Sequence, residues 1–285
     1  MRNEKEMMEL ILNTALNDDR IKACYLEGSR VNPKVKKDKF QDFDVVYVVK
    51  DTGPFIRDKR WIDNFGDVLY MQYPDENVYY PSNIDDRYSW LMQFEDGVRL
   101  DLTVKTLEEA KRTMDMYEVL IDKEGVFDQK IQNSDCMFWI EEPNQLKFDN
   151  TTNEFWWCLN NVAKGLWRGE LPYVMDMLNF IIRPMLVRVI EWNVAYGENF
   201  EISLGKNAKF MKDYLDSYTY ERYLATYSQS ETDDIWDATF RMCDLFDEVS
   251  KDLAGKMGFI YREMEARNSR DYLEEVRRID GPNFF

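Results

Sequence analysis

Apolar positions Met7, Met8, Leu10, Ile11 and Ala15 recur at near-helical spacing and predict a first helix over residues 4–16, which Asn17-Asp18-Asp19 stops. Residues 21–26 then read as a strand and residues 44–49 as a second. Residues 68–72 and 88–94 are further strand candidates. Glu95-Asp96-Gly97 is a hairpin turn signal leading into another apolar strand at residues 99–104. From about Asn150 the period changes. Residues 153–167, 172–196, 206–215 and 233–256 carry apolar side chains three and four apart and predict helices. Pro172 suits a first helical turn, whereas Pro184 predicts a kink or break inside the second of them. Beyond Gly258 the chain turns polar, with alternating Glu and Arg in an exposed helix.

The expected architecture is α+β: a first half built on a small mixed sheet, then an all-α helical bundle. At 285 residues the length suits one large domain or two moderate ones, and the stretch from Glu142-Pro143-Asn144 to Asn150 reads as the joint. The boundary is set at 1–145 and 146–285. No internal repeat or low-complexity tract interrupts either part. Tryptophans such as Trp156, Trp157, Trp167 and Trp192 are expected in the core.

Hydrophobic residues make up 45% of the chain, enough for a sizeable core. No apolar run is long enough to span a bilayer, and the N-terminus lacks a signal-peptide core, so a soluble cytoplasmic protein is expected, with no membrane partner. Cys24, Cys136, Cys158 and Cys243 form no CxxC pair, which gives zinc or redox chemistry no support. The chain contains no histidine. That excludes a Ser-His-Asp triad, an imidazole base and a His-ligated metal. A net charge of −17 argues against a nucleic-acid partner and favours cations.

The most informative stretch is Leu26-Glu27-Gly28-Ser29-Arg30 followed by Gln41-Asp42-Phe43-Asp44 and the run Val45 to Val49. It reads as a strand ending in a Gly-Ser turn, then a strand that opens with two aspartates. Side chains on a strand alternate, so Asp42 and Asp44 project from one face. Two such carboxylates repel unless something positive sits between them, and a hard divalent cation such as Mg2+ fits that need. Asp101, between Leu100 and Leu102, is a third acidic strand position; its bland alternative is a solvent-facing side chain.

Turn, Asp-x-Asp and later strand Asp together resemble the nucleotidyltransferase superfamily. Longer segments resemble the aminoglycoside 6-adenylyltransferases, which inactivate streptomycin. They are Leu26-Glu27-Gly28-Ser29-Arg30, Phe40-Gln41-Asp42-Phe43-Asp44, Phe94-Glu95-Asp96-Gly97 with Leu100-Asp101-Leu102-Thr103, and Asn153-Glu154-Phe155-Trp156. Asp176-Met177-Leu178-Asn179 with Arg183-Pro184, and Gly205-Lys206-Asn207 with Lys209-Phe210-Met211-Lys212, do so as well. The likeness runs from Met1 to about Met242 and fades in the Arg/Glu-rich tail.

That resemblance implies a nucleotidyltransferase catalytic domain at 1–145 and a helical substrate-binding domain at 146–285. It implies transfer of AMP from ATP to a streptomycin hydroxyl with release of pyrophosphate, supported by Mg2+, and hence antibiotic resistance. Asp42 and Asp44 become metal ligands, and Asp101 a third ligand or the general base. Gly28 would let the backbone approach the triphosphate, with Ser29 donating to a phosphate oxygen. Arg30, Lys206 and Lys209 are candidates for neutralising phosphate charge; solvated side chains are the alternative. Glu154, Asp176 and Glu95 are proposed partners for the drug's guanidinium groups. Trp156 is either a sugar-stacking platform or core. The same fold acting on another hydroxylated compound, or a non-catalytic nucleotide-binding or partner-regulating protein, stays open, as does a monomer or homodimer.

Overall fold

A computed structural model describes residues 2–279 of the chain. The chain divides into two compact units, one ending at Met137 and the other beginning at Phe138. The architecture is α+β: a sheet-based unit precedes a helical one.

The first unit holds β1 (Ile21–Glu27), β2 (Phe43–Val49), β3 (Val68–Gln72), β4 (Arg87–Phe94), β5 (Arg99–Thr106), β6 (Tyr117–Asp122) and β7 (Ile131–Gln132). Its helices are α1 (Glu4–Asn17), α2 (Gly53–Arg57) and α3 (Leu107–Thr113). The strands form one mixed sheet in the order β3-β4-β5-β2-β1-β6-β7. Only β2 and β5 run parallel, and the other neighbouring pairs are antiparallel. A parallel pair needs a crossover, which residues 50–98 supply by way of α2, β3 and β4. The sheet is wider than the sequence pattern suggests. β6 and β7 escape a period-two reading because β6 is half-buried along nearly its whole length and β7 is two residues long.

The sheet has two different faces. Asn3 and Glu6 form a capping box that starts α1, which buries Met7, Ile11 and Ala15 at four-residue spacing. These pack with Leu26, Val45, Tyr47, Leu100, Leu102 and Val104, and the Tyr47 hydroxyl donates to the Ile11 carbonyl at 2.7 Å. Ala23, Tyr25, Val46 and Val48 point the other way and pack with Ala110, Tyr117 and Phe127. Asp44 is in phase with Val46 and Val48, so it stands on this second face, away from α1.

The second unit contains α4 (Gln145–Arg168), α5 (Leu171–Asp176), α6 (Arg183–Gly197), α7 (Met211–Tyr214), α8 (Ser217–Leu224), α9 (Thr232–Met257) and α10 (Glu263–Arg278). Phe155 stacks on Phe246 with ring centroids 3.6 Å apart, and Trp156 donates through Nε1 to the Tyr261 hydroxyl at 3.0 Å. Trp156 is therefore core. The polar tail is an amphipathic helix, since α10 buries Ala266, Leu273 and Val276.

Three expected helical details are corrected. The stretch read as a joint holds a helix start: Asn144 accepts from the Lys147 amide and α4 begins at Gln145. Pro184 marks an interruption of the regular α-helix, but not a break in the helical path. Met177–Ile182 form a π-helix between α5 and α6, and the Arg183 amide reaches back five residues to the Leu178 carbonyl. The wider turn puts Pro184 at the start of a new α-helical stretch, where its missing N–H is tolerated. Residues 206–215 are not one helix. Asn207 and Ala208 have φ of 57° and 54°, which divides the segment into a 3-10 turn at Lys206–Ala208 and the short α7. Among the described residues, no helix is long and apolar enough to cross a membrane.

Candidate active site

The parallel β2–β5 ladder sets Asp44 directly opposite Asp101. Asp42 lies two residues before Asp44 and points to the same side. One carboxylate oxygen from each of Asp42, Asp44 and Asp101 lies within 4.8 Å of the others, and all three residues are half-buried. At that spacing ionised carboxylates repel strongly. Asp44 bears the consequence: burial first, then the charges of Asp42 and Asp101, push its carboxyl up to about 7. Oxygen donors crowded this closely suit a hard divalent cation, and they fit a metal site by that chemistry.

The turn after β1 fits against this cluster. Gly28 has φ of +70°, and a Cβ built there would lie 2.3 Å from Asp44 Oδ2. A glycine is required on both counts. Ser29 follows in the same 3-10 turn, Gly28–Arg30.

Arg30 is engaged within the chain. Its Nε and Nη2 donate to the carbonyls of Asp42 and Gln41, both at 2.8 Å, and Nη1 lies 3.3 Å from Glu4. Its guanidinium lies 3.6 Å over the Phe43 ring. With its side chain only 9% exposed, Arg30 clasps the loop that carries Asp42. Burial lowers its pKa, against the opposing pull of Glu4, Asp42 and Asp44.

Two cations on β5 escape a reading of the sequence. Arg99 donates to Asp101 through Nε at 2.8 Å and Nη2 at 2.6 Å, and its Nε lies 3.7 Å from Asp42. The hydrogen bonds to Asp101 raise its pKa further. Lys105 is buried and pairs with Glu27 at 3.1 Å, reaching over β2 to the end of β1. Burial raises the Glu27 carboxyl, while Lys105 works against that rise. An arginine beside a turn reads as a solubilising residue, and a strand lysine gives no sign that it is buried.

Glu95 is exposed in the β4–β5 turn. The remaining candidates belong to the second unit. Glu154 is exposed on α4 and accepts a weak hydrogen bond from Cys158 at 3.4 Å. Asp176 is exposed at the end of α5, where the π-helix begins. Lys206 and Lys209 are exposed around the positive-φ turn, and Lys209 Nζ lies 5.0 Å from the centre of the Phe210 ring.

The chain also matches known proteins along nearly its whole length. The family model described as streptomycin adenylyltransferase matches residues 1–276. An aminoglycoside 6-adenylyltransferase of Campylobacter jejuni is 37% identical over 281 residues, covering 98% of this chain and 97% of the relative. Its counterpart from Bacillus subtilis (strain 168) is 36% identical over 269 residues, 93% of this chain and 95% of the relative. That of Staphylococcus aureus is 34% identical over the same shares. A crystal structure of an aminoglycoside 6-adenyltransferase from Bacillus subtilis aligns at 33% identity and a TM-score of 0.49, covering 98% of this chain and all of that one. The relatives matched along nearly the whole chain are adenylyltransferases, and the chain is an enzyme of that class. The chain belongs to the streptomycin adenylyltransferase family.

Proposed function

We propose that the protein transfers AMP from ATP to a hydroxyl of streptomycin, with Mg2+ held by Asp42, Asp44 and Asp101. The observation that carries this reading is the convergence of those three carboxylates within 4.8 Å, Asp44 and Asp101 on adjacent strands and Asp42 in the loop just before β2. The acceptor hydroxyl oxygen forms a bond to the α-phosphorus, the bond from that phosphorus to pyrophosphate breaks, and the hydroxyl proton passes to the carboxylate cluster. Reaction at phosphorus asks the protein mainly for positioning and charge neutralisation. Bound Mg2+ would supply Lewis-acid stabilisation of the developing phosphate charge.

The residues of the chain then have separable tasks. Gly28 brings backbone close to the carboxylates, and Ser29 offers a hydroxyl donor from the same turn. Arg30 fixes the loop before β2. Lys206 and Lys209 are proposed to meet phosphate charge. Glu154, Asp176 and Glu95 are proposed to pair with the guanidinium groups of the drug, whose planar fork matches a carboxylate. The high family identity over almost the full chain supports an aminoglycoside acceptor.

The deciding test is pyrophosphate release from ATP and Mg2+ with and without streptomycin, beside an Asp44→Asn control and a chelator control. The expected result is release that requires the drug, the metal and Asp44. Equal release from other aminoglycosides and none from streptomycin would overturn the acceptor. Undiminished release in the presence of chelator would overturn the metal.

A further inference from the structure

Arg99 and Lys105 are both cations on β5, yet they are held in opposite ways. The Lys105 side chain is 7% exposed and its ammonium is fixed against Glu27 at 3.1 Å. The Arg99 side chain is 47% exposed, although its guanidinium donates to both oxygens of Asp101 and lies 3.7 Å from Asp42. Arg99 thus holds oxygens of the very carboxylates that a divalent cation requires. The fork takes one lone pair on each Asp101 oxygen and sets its positive charge where a cation would draw on the same carboxylate, so the two compete. The clustered carboxylates, two on the β2–β5 pair and Asp42 in the loop before β2, repel one another, and a nearby positive charge eases that repulsion.

We propose that Arg99 is the resident counter-ion of the metal-free site: its guanidinium clasps Asp101 in place of a divalent cation and gives way when the carboxylates take one up. The inference rests on the proposed reading of Asp42, Asp44 and Asp101 as metal ligands. The pair is open to solvent on its Arg99 side, 47% exposed, while Asp101 is only 16% exposed, so water can take over the guanidinium as it lets go. A buried pair such as Lys105 with Glu27 is costly to separate and does not serve this purpose. Arg99 is accordingly a positioning residue. It keeps the repelling carboxylates converged and sets the affinity of the site for its metal.

The test is calorimetric titration of the full-length protein with Mn2+, without nucleotide, comparing wild type with Arg99→Lys, Arg99→Gln and Asp44→Asn. Arg99→Lys keeps the charge and loses the planar fork. The expected result is that both Arg99 variants bind Mn2+ about fivefold more tightly than wild type, the affinity that competition from a half-exposed pair removes. Their metal-free forms should also melt earlier. A Lys variant with wild-type Mn2+ affinity would overturn the proposal, because charge alone would then explain any gain in the Gln variant. Weaker binding by Arg99→Gln would overturn it too. Asp44→Asn separates the two failures. If it loses Mn2+ while the Arg99 variants stay at wild type, the metal site stands and the counter-ion role falls. If it binds Mn2+ like wild type, both fall.

Discussion

Gly28 and Asp44 are packed so closely that a single methyl group on the first would occupy the space of the second, with a Cβ at 2.3 Å from Asp44 Oδ2. The Gly28→Ala variant must also hold a φ of +70°, which costs an alanine about 1 kcal/mol. The carboxylate is the softer partner, so it rotates away and the three oxygens no longer converge. The expected outcome is a folded protein with turnover reduced by about tenfold or more. Circular dichroism alongside pyrophosphate release checks both halves of that statement.

Arg30 separates positioning from phosphate binding. Its side chain is nearly buried and bonded to the carbonyls of Gln41 and Asp42. Arg30→Met should therefore lower kcat and destabilise the fold by about 2 kcal/mol, the scale of lost charged hydrogen bonds. KM for ATP should stay near the wild-type value. A large rise in KM with kcat preserved would instead place this guanidinium on the nucleotide.

The pH dependence of the metal-free protein follows from Asp44. Its carboxyl sits near 7 in the folded chain, chiefly through burial and then through Asp42 and Asp101, against an ordinary value of 3.8. Between those two values the native state holds a proton that the unfolded chain has released. Stability therefore falls as pH rises through that window and levels off above it. Asp44→Asn removes the decline. Urea melts in chelator should show wild type and variant alike near the low end of the window, with the variant gaining an advantage on the order of a few kcal/mol at the high end. Parallel curves across the window would show that Asp44 ionises normally.

In the helical unit, Arg183 is buried among neutral partners. It donates to Asn179 Oδ1, to the Thr226 hydroxyl and to the Thr226 carbonyl, and its guanidinium lies 3.7 Å over the Tyr227 ring. Asn179 belongs to the π-helical turn, so this cluster ties that turn to the end of α8. Thr226→Val leaves one guanidinium N–H without an acceptor. A loss of about 2 kcal/mol in denaturant stability is expected. A change below about 0.5 kcal/mol would mean that water replaces the hydroxyl.

The carboxylate cluster was legible in the sequence because strand periodicity is rigid. Asp42 and Asp44 share a face at any twist, and the apolar neighbours of Asp101 mark it as a strand residue. Their counter-ion was not legible, since nothing in the string Gly97-Val98-Arg99 distinguishes a clasped arginine from a solvated one. Arg30 hides in a similar way: nothing beside the Gly-Ser turn tells that its side chain is bonded to the carbonyls of Gln41 and Asp42 rather than solvated. Pro184 was visible as an interruption, but the kind of interruption was not, because a π-turn has no composition of its own. The segment 206–215 misled through helical spacing, when Gly205 and Asn207 were the residues able to take positive φ.

The parallel alliance of β2 and β5 determines where this sequence tolerates change in length. Alignment of Asp44 with Asp101 is fixed by the ladder, and the intervening excursion of residues 50–98 merely delivers the chain to its starting point. Insertions or deletions in loops of that excursion leave the two carboxylates in step. Removing one residue within β5 ahead of Asp101 turns its side chain to the α1-facing surface, where Leu26 and Val45 pack, and sends Leu102 the other way. The reaction centre behaves as a two-part key whose halves are cut in separate places, tolerant of the distance travelled between them and intolerant of a single tooth lost.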